Sequence, residues 1–97
     1  MHFKLLFSEE AALKLEKLEM DKSKKGVLKQ VRKVLGFMET NLKHPSLHTH
    51  KFDGIPCSLG DVFETYAQNN TPGAYRIFWA YGPGKGNIFI LDITPHP

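Results

Sequence analysis

Residues 73–97, GAYRIFWAYGPGKGNIFILDITPHP, contain the two most strand-like runs of the chain. Tyr75–Tyr81 and Asn87–Thr94 are rich in β-branched and aromatic residues, and the loop GPGKG lies between them. Apolar runs split by Gly/Pro turn chemistry predict a β-hairpin with a longer loop. Strand alternation sends Tyr75, Ile77, Trp79 and Tyr81 to one face and Arg76, Phe78 and Ala80 to the other. The second run is apolar on both faces as far as Asp92, the pattern of an interior strand covered on both sides. An arginine is thus set in mid-sheet. It must be paired or face solvent, because an unpaired buried guanidinium costs too much.

Upstream of the hairpin, Val62–Gln68 alternates, with Val62, Glu64 and Tyr66 opposite Phe63, Thr65 and Ala67. His48–Phe52 reads as a short strand with His48, His50 and Phe52 on one face. His44–Pro45 marks a helix end, since a residue before proline is pushed out of the α region. The helix it closes runs from Val27 to about Leu42, with Leu28, Val31, Leu35, Met38 and Leu42 recurring at spacings of three and four. Ser23–Gly26 separates it from an earlier helix that opens on Ser8 as N-cap, with Glu9 and Glu10 in the first turn. His2–Phe7 forms a first strand. The predicted fold is α+β, in the order β-α-α-β-β-β(-β). An N-terminal helical hairpin packs on one face of a small, mainly antiparallel sheet, and residues 1–97 form a single domain.

Composition narrows the function classes. No apolar run approaches the roughly 18 residues of a membrane span, and MHFKLLFSEE lacks a signal-peptide pattern. The single cysteine, Cys57, excludes an internal disulfide; the expectation is a reducing, cytoplasmic setting, with Cys57 used for packing. Net charge is +3, unevenly placed: residues 1–43 hold ten Lys/Arg against six Asp/Glu, and residues 44–97 hold three against four. The lysines near the helical turn form either a solvated face or a grip on a nucleic-acid backbone. The loop GPGKG lacks the GxxxxGK[ST] spacing and leads into no helix, so it reads as a hairpin loop rather than a phosphate cradle.

The residues able to carry chemistry are few. Arg76 is either one half of an ion pair with Glu64 on the neighbouring strand or an anchor for phosphate, which a planar, permanently charged fork suits. His96 follows the most apolar strand, and a histidine there can serve as general acid near neutral pH. His44, His48 and His50, with Lys51 beside them, offer acid/base or RNA-contacting groups or ordinary surface positions. No Cys, Asp or Glu stands near them at a metal-ligand spacing, so no metal is expected.

The segments HPSLHTHKF, AYRIFW and ILDITPHP, in this order within a β-α-α-β-β-β chain, resemble the RelE/ParE superfamily of toxin–antitoxin toxins. The resemblance implies an endoribonuclease of the RelE-like mRNA interferase branch, cleaving messenger RNA in the ribosomal A site of the 30S subunit and inhibiting translation. In that chemistry the ribose 2′-hydroxyl attacks the adjacent phosphate. Carried over by position, Arg76 binds the scissile phosphate, His96 is the general acid, and His50, with Lys51 and His48 nearby, is the base or transition-state stabiliser. Apart from the resemblance, the strand pattern itself puts Glu64 and Tyr66 on the adjacent strand, in position to orient Arg76, and with Lys51 and His48 they are the expected substrate-binding residues. The implied partners are a protein antitoxin, mRNA and the ribosome, with no cofactor and no membrane. The ParE-like branch, which acts on DNA gyrase without cleaving RNA, shares the fold, and fold alone does not separate the two. A binding module for protein or nucleic acid on the same fold is the further alternative.

Overall fold

The hairpin forms as its pattern requires. In the computed structural model, which describes residues 2–68 and 73–95, the strands are β1 (Lys4–Phe7), β2 (His50–Phe52), β3 (Val62–Tyr66), β4 (Tyr75–Tyr81) and β5 (Asn87–Pro95). The helices are α1 (Glu9–Met20) and α2 (Lys25–Thr40), joined through a 3₁₀ turn at Lys22–Lys24. A second 3₁₀ turn, Pro45–Leu47, precedes β2. The five strands lie in the order β1-β5-β4-β3-β2. β5, β4, β3 and β2 pair antiparallel as expected, and β1 joins the far side of β5 in parallel. The sheet is therefore mixed. The α+β class and the helical hairpin on one face agree with the sequence reading, while α2 starts and stops two residues earlier than its apolar period suggested.

Glycine conformation closes the hairpin: Gly82, Gly84 and Gly86 hold φ of 109°, 76° and 80°, where a side chain would be strained. β5 contains a bulge. Trp79 stands opposite Ile90 and Phe78 opposite Asp92, so Leu91 is an extra residue on this strand. The bulge shifts the alternation by one, and Ile88 and Ile90 before it and Ile93 after it all reach the buried helix-facing side. It is also tied to the start of α1. The Ser8 N–H donates to the Ile90 carbonyl at 2.9 Å and the Ser8 hydroxyl to the Leu91 carbonyl at 2.8 Å. The same hydroxyl accepts the Ala11 N–H at 3.0 Å as the helix N-cap.

Between helices and sheet lies the main core, built from Ala11, Leu18, Val31, Leu35 and Met38 against Ile77, Trp79, Ile88, Ile90 and Ile93. Trp79 donates its indole N–H to the Thr65 hydroxyl at 2.9 Å, and Thr65 in turn meets Thr49 at 2.8 Å, so these buried polar groups are satisfied. The other face of the sheet is graded. At one end Val62, Phe78 and Ala80 are buried, with the Phe52 ring 4.8 Å from that of Phe78. At the other end the same alternation delivers His50, Glu64, Tyr66 and Arg76. Among the described residues no helix is long and apolar enough to cross a membrane.

Candidate functional site

The polar end of this face is held by three strands in register. His50 of β2 stands opposite Glu64 of β3, and Tyr66 of β3 opposite Arg76 of β4. Even-numbered residues of β2, β3 and β4 thus share one face, and four polar side chains converge within two rungs of the ladder.

Glu64 is the hub. It is only 2% exposed, and its two oxygens divide the neighbours between them. Oε2 accepts from Arg76 Nη1, and Oε1 lies 2.6 Å from His50 Nε2. The Tyr66 hydroxyl donates to Oε1 across a longer 3.4 Å. A carboxylate this deeply buried needs a fixed positive partner to remain charged, and Arg76 supplies it. The guanidinium carbon also sits 4.9 Å from the centre of the Phe78 ring, which forms a floor beneath the charge. Arg76 Nε is buried and has no hydrogen-bond partner among the described residues.

His50 is half exposed, so a ligand reaches this side chain first. Its Nδ1 lies 3.2 Å from the His48 carbonyl. Both ring nitrogens therefore face acceptors, and an imidazolium fills both with donors. Its ring stands 5.7 Å from that of Tyr66. The Tyr66 hydroxyl is pushed above the ordinary tyrosine value, first by burial, then by the charge of Glu64 and the hydrogen bond to it; Arg76 opposes the shift. Two basic side chains bridged by one buried carboxylate make a rigid edge, suited to holding an anion beside a proton-transfer group.

Arg76, Glu64, Tyr66 and His50 thus come together, in the ion-paired form that was one of the two expectations for Arg76. His48 and Lys51 do not join them. His48 has a positive φ of 46° and precedes the strand, which breaks the alternation expected to align it with His50. It lines a separate cleft of about 710 Å³ on the helix side, together with His44, Phe63, Trp79 and Tyr81. Lys51 is odd-numbered in β2 and takes the opposite face, its Nζ 3.5 Å from Asp61. His44 holds local structure together. Its Nδ1 accepts the Ser46 N–H at 3.1 Å, capping the 3₁₀ turn, and its ring stacks on Phe37 at 4.1 Å. His96 lies outside the described residues. Sequence reasoning missed Phe78 as the floor beneath Arg76, although its even number on β4 was the available signal.

No protein-family model matches the sequence, and neither does any curated protein. Solved structures do match it. RelE in the archaeal RelE–RelB complex from Pyrococcus horikoshii OT3 superposes with a TM-score of 0.66 at 14% identity, over 98% of this chain and 96% of that one. A YoeB/ParE toxin from Agrobacterium tumefaciens gives 0.72 at 6% identity, over 98% and 100%. The YoeB dimer from Staphylococcus aureus gives 0.67 at 13% identity, over the full length of both chains. At such identities the likeness is one of fold. The chain has the fold of the RelE/ParE toxins, as the order of its segments implied.

Proposed function

We propose that this chain is the toxin of a toxin–antitoxin pair and that it cleaves messenger RNA in the ribosomal A site, in the cytoplasm. The observation that carries the reading is the Arg76–Glu64–His50 cluster at the polar end of the sheet face of a RelE/ParE fold. Glu64 holds the guanidinium by one Nη and leaves other donors for the non-bridging oxygens of a scissile phosphate. These stabilise the charge that grows as the ribose 2′-oxygen attacks phosphorus. His50 takes the 2′-hydroxyl proton or, as an imidazolium, stabilises the same charge. His96 returns a proton to the departing 5′-oxygen, leaving a 2′,3′-cyclic phosphate and a 5′-hydroxyl end. Thr94 is the cross-strand partner of Arg76 and Pro95 that of Tyr75, so the described end of β5 runs beside the arginine. Glu64 and Tyr66 position Arg76 and His50. No step calls for a cofactor. The Pyrococcus protein was solved with RelB, and a protein antitoxin is the corresponding partner proposed here.

One observation favours a second reading. Arg76 is already neutralised by Glu64, which suits a non-cleaving protein of the ParE type that acts on DNA gyrase. Induced expression of wild type, Arg76→Ala and His96→Ala, scored for growth arrest and for new 5′ ends in cellular mRNA, separates the two. Arrest with cleavage inside reading frames, lost in both variants, is expected. Arrest with intact mRNA would overturn cleavage in favour of the second reading.

A further inference from the structure

The positive charge of this protein is concentrated on its helical hairpin. Residues 14–33 hold eight Lys/Arg and three Asp/Glu, whereas the rest of the chain holds five against seven. Lys14 is engaged by Asp92 at 2.8 Å and Glu10 at 3.3 Å, and Arg32 by Glu19 at 2.8 Å. Asp21 is committed to the Ser23 N–H and hydroxyl, at 2.9 and 2.6 Å. Lys17, Lys22, Lys24, Lys25, Lys29 and Lys33 are exposed, and none of them pairs with a carboxylate among the described residues. The local sequence also lacks what would balance them. α2 begins with no side-chain cap and no acidic residue in its first turn, so its positive end opens among lysines. Such an arrangement costs stability and concentrates positive potential at one place.

That place adjoins the candidate site. Lys14, Lys17 and Lys24, together with Leu18 and the already committed Asp21, line a cleft of about 270 Å³ whose other wall is Tyr75, Ile93, Thr94 and Pro95. Tyr75 precedes Arg76 on β4, and Thr94 is the strand partner of Arg76. Alternation turns Tyr75 to the helices and Arg76 to the opposite face, so only the end of the β4–β5 pair separates the lysine cleft from the Arg76 cluster.

We infer that Lys17, Lys24 and Lys25 bind the backbone of an RNA strand whose neighbouring nucleotides lie at the Arg76–Glu64–His50 cluster, the strand passing round the end of β4 and β5. The inference rests on the reading of the chain as an RNA-acting protein and adds where the flanking phosphates go. It also accounts for the weakly charged C-terminal half: the cluster supplies one permanent cation, and the helical hairpin supplies the rest of the electrostatic grip. An acidic protein segment is the competing occupant, and it would use the exposed apolar side chains of Leu13 and Met20 on the same hairpin.

The test is fluorescence anisotropy with labelled, fully 2′-O-methylated RNA, which cannot be cleaved, in lengths of about 4 and 16 nucleotides. Wild type is compared with Lys17→Ala/Lys24→Ala/Lys25→Ala and with Lys4→Ala/Lys43→Ala/Lys85→Ala, which removes equal charge elsewhere. A fourth variant is Leu13→Ser/Met20→Ser. The expected result is tighter binding of the longer RNA by wild type, lost in the hairpin variant alone. The log–log salt slope should flatten by about 2, from three phosphate contacts at roughly 0.7 each on a single strand. Equal losses in the two lysine triple variants would reduce the effect to net charge and overturn the inference. So would an unchanged length preference in the hairpin variant, or a loss seen only in the Leu13/Met20 variant. Because binding is read without cleavage, a non-cleaving protein that still shows the lysine-dependent length preference would refute the ribonuclease reading and leave this surface standing.

Discussion

Replacing Glu64 by alanine should be among the most damaging single changes in this protein, because it strands a buried cation. The Arg76 side chain is 11% exposed and that of Glu64 3%, so water cannot take the carboxylate's place without opening the sheet face. Breaking a buried ion pair from one side costs about 3–5 kcal/mol. The half-exposed His50 adds little to that figure, since exposed pairs contribute about 1 kcal/mol or less. Glu64→Gln keeps the shape and exchanges charge-assisted hydrogen bonds for neutral ones, so it should cost about 2 kcal/mol. The double variant Glu64→Leu/Arg76→Met removes both charges together and should return to within about 1 kcal/mol of wild type. Urea unfolding followed through Trp79, the only tryptophan and 1% exposed, reads all four proteins. With a urea slope of about 2 kcal/mol per molar, Glu64→Ala should lower the midpoint by about 2 M. A drop below about 0.5 M would refute the reasoning, as would a double variant no more stable than Glu64→Ala.

Ser8→Ala removes both the N-cap of α1 and the donor to the Leu91 carbonyl, and should cost about 1–2 kcal/mol in the same urea assay. The Tyr66 hydroxyl should ionise above the ordinary value of 10, and Tyr66→Phe should remove that ionisation from an ultraviolet titration. The sign for stability follows: the unfolded chain loses this proton first, so the contribution of Tyr66 is full below pH 10 and is lost as pH rises through the folded-state value. Trp79→Phe leaves the buried Thr65 hydroxyl short of one partner and a void beside Phe63, and should cost about 2–3 kcal/mol by thermal melting.

The parts of this fold that depend on neighbouring residues were legible in the sequence. The alternation in Tyr75–Tyr81 and the N-cap at Ser8 report local choices and appear as read, while the run read over Val62–Gln68 forms a strand only as far as Tyr66 and the three-four spacing found α2 with its ends displaced by two residues. The Arg76–Glu64 pair was legible too, since even numbering on adjacent antiparallel strands puts both on one face. What stayed hidden depends on a single backbone angle or on distant pairing. One positive φ at His48 cancelled the shared face proposed for His48 and His50. One extra residue at Leu91 moved Ile93 onto the side of Ile88 and Ile90, and nothing in ILDI announces it. The parallel partner of β1 lies at the other end of the chain, where no local pattern points to it.

That last pairing has a consequence for how the molecule comes into being. Lys4 meets Asn87, and residues in between supply every other element, so β5 is the strand that joins β1 and both helices to the β2–β3–β4 meander. Without residues 87–95, β1 and β4 present bare strand edges to each other and the core lacks Ile88, Ile90 and Ile93. The β1–β5 pairing is the longest-range one in the sheet, and contacts of such separation slow folding. A chain of this design has no finished helix–sheet core until β5 is seated between β1 and β4, so whatever depends on that core is acquired with that one strand.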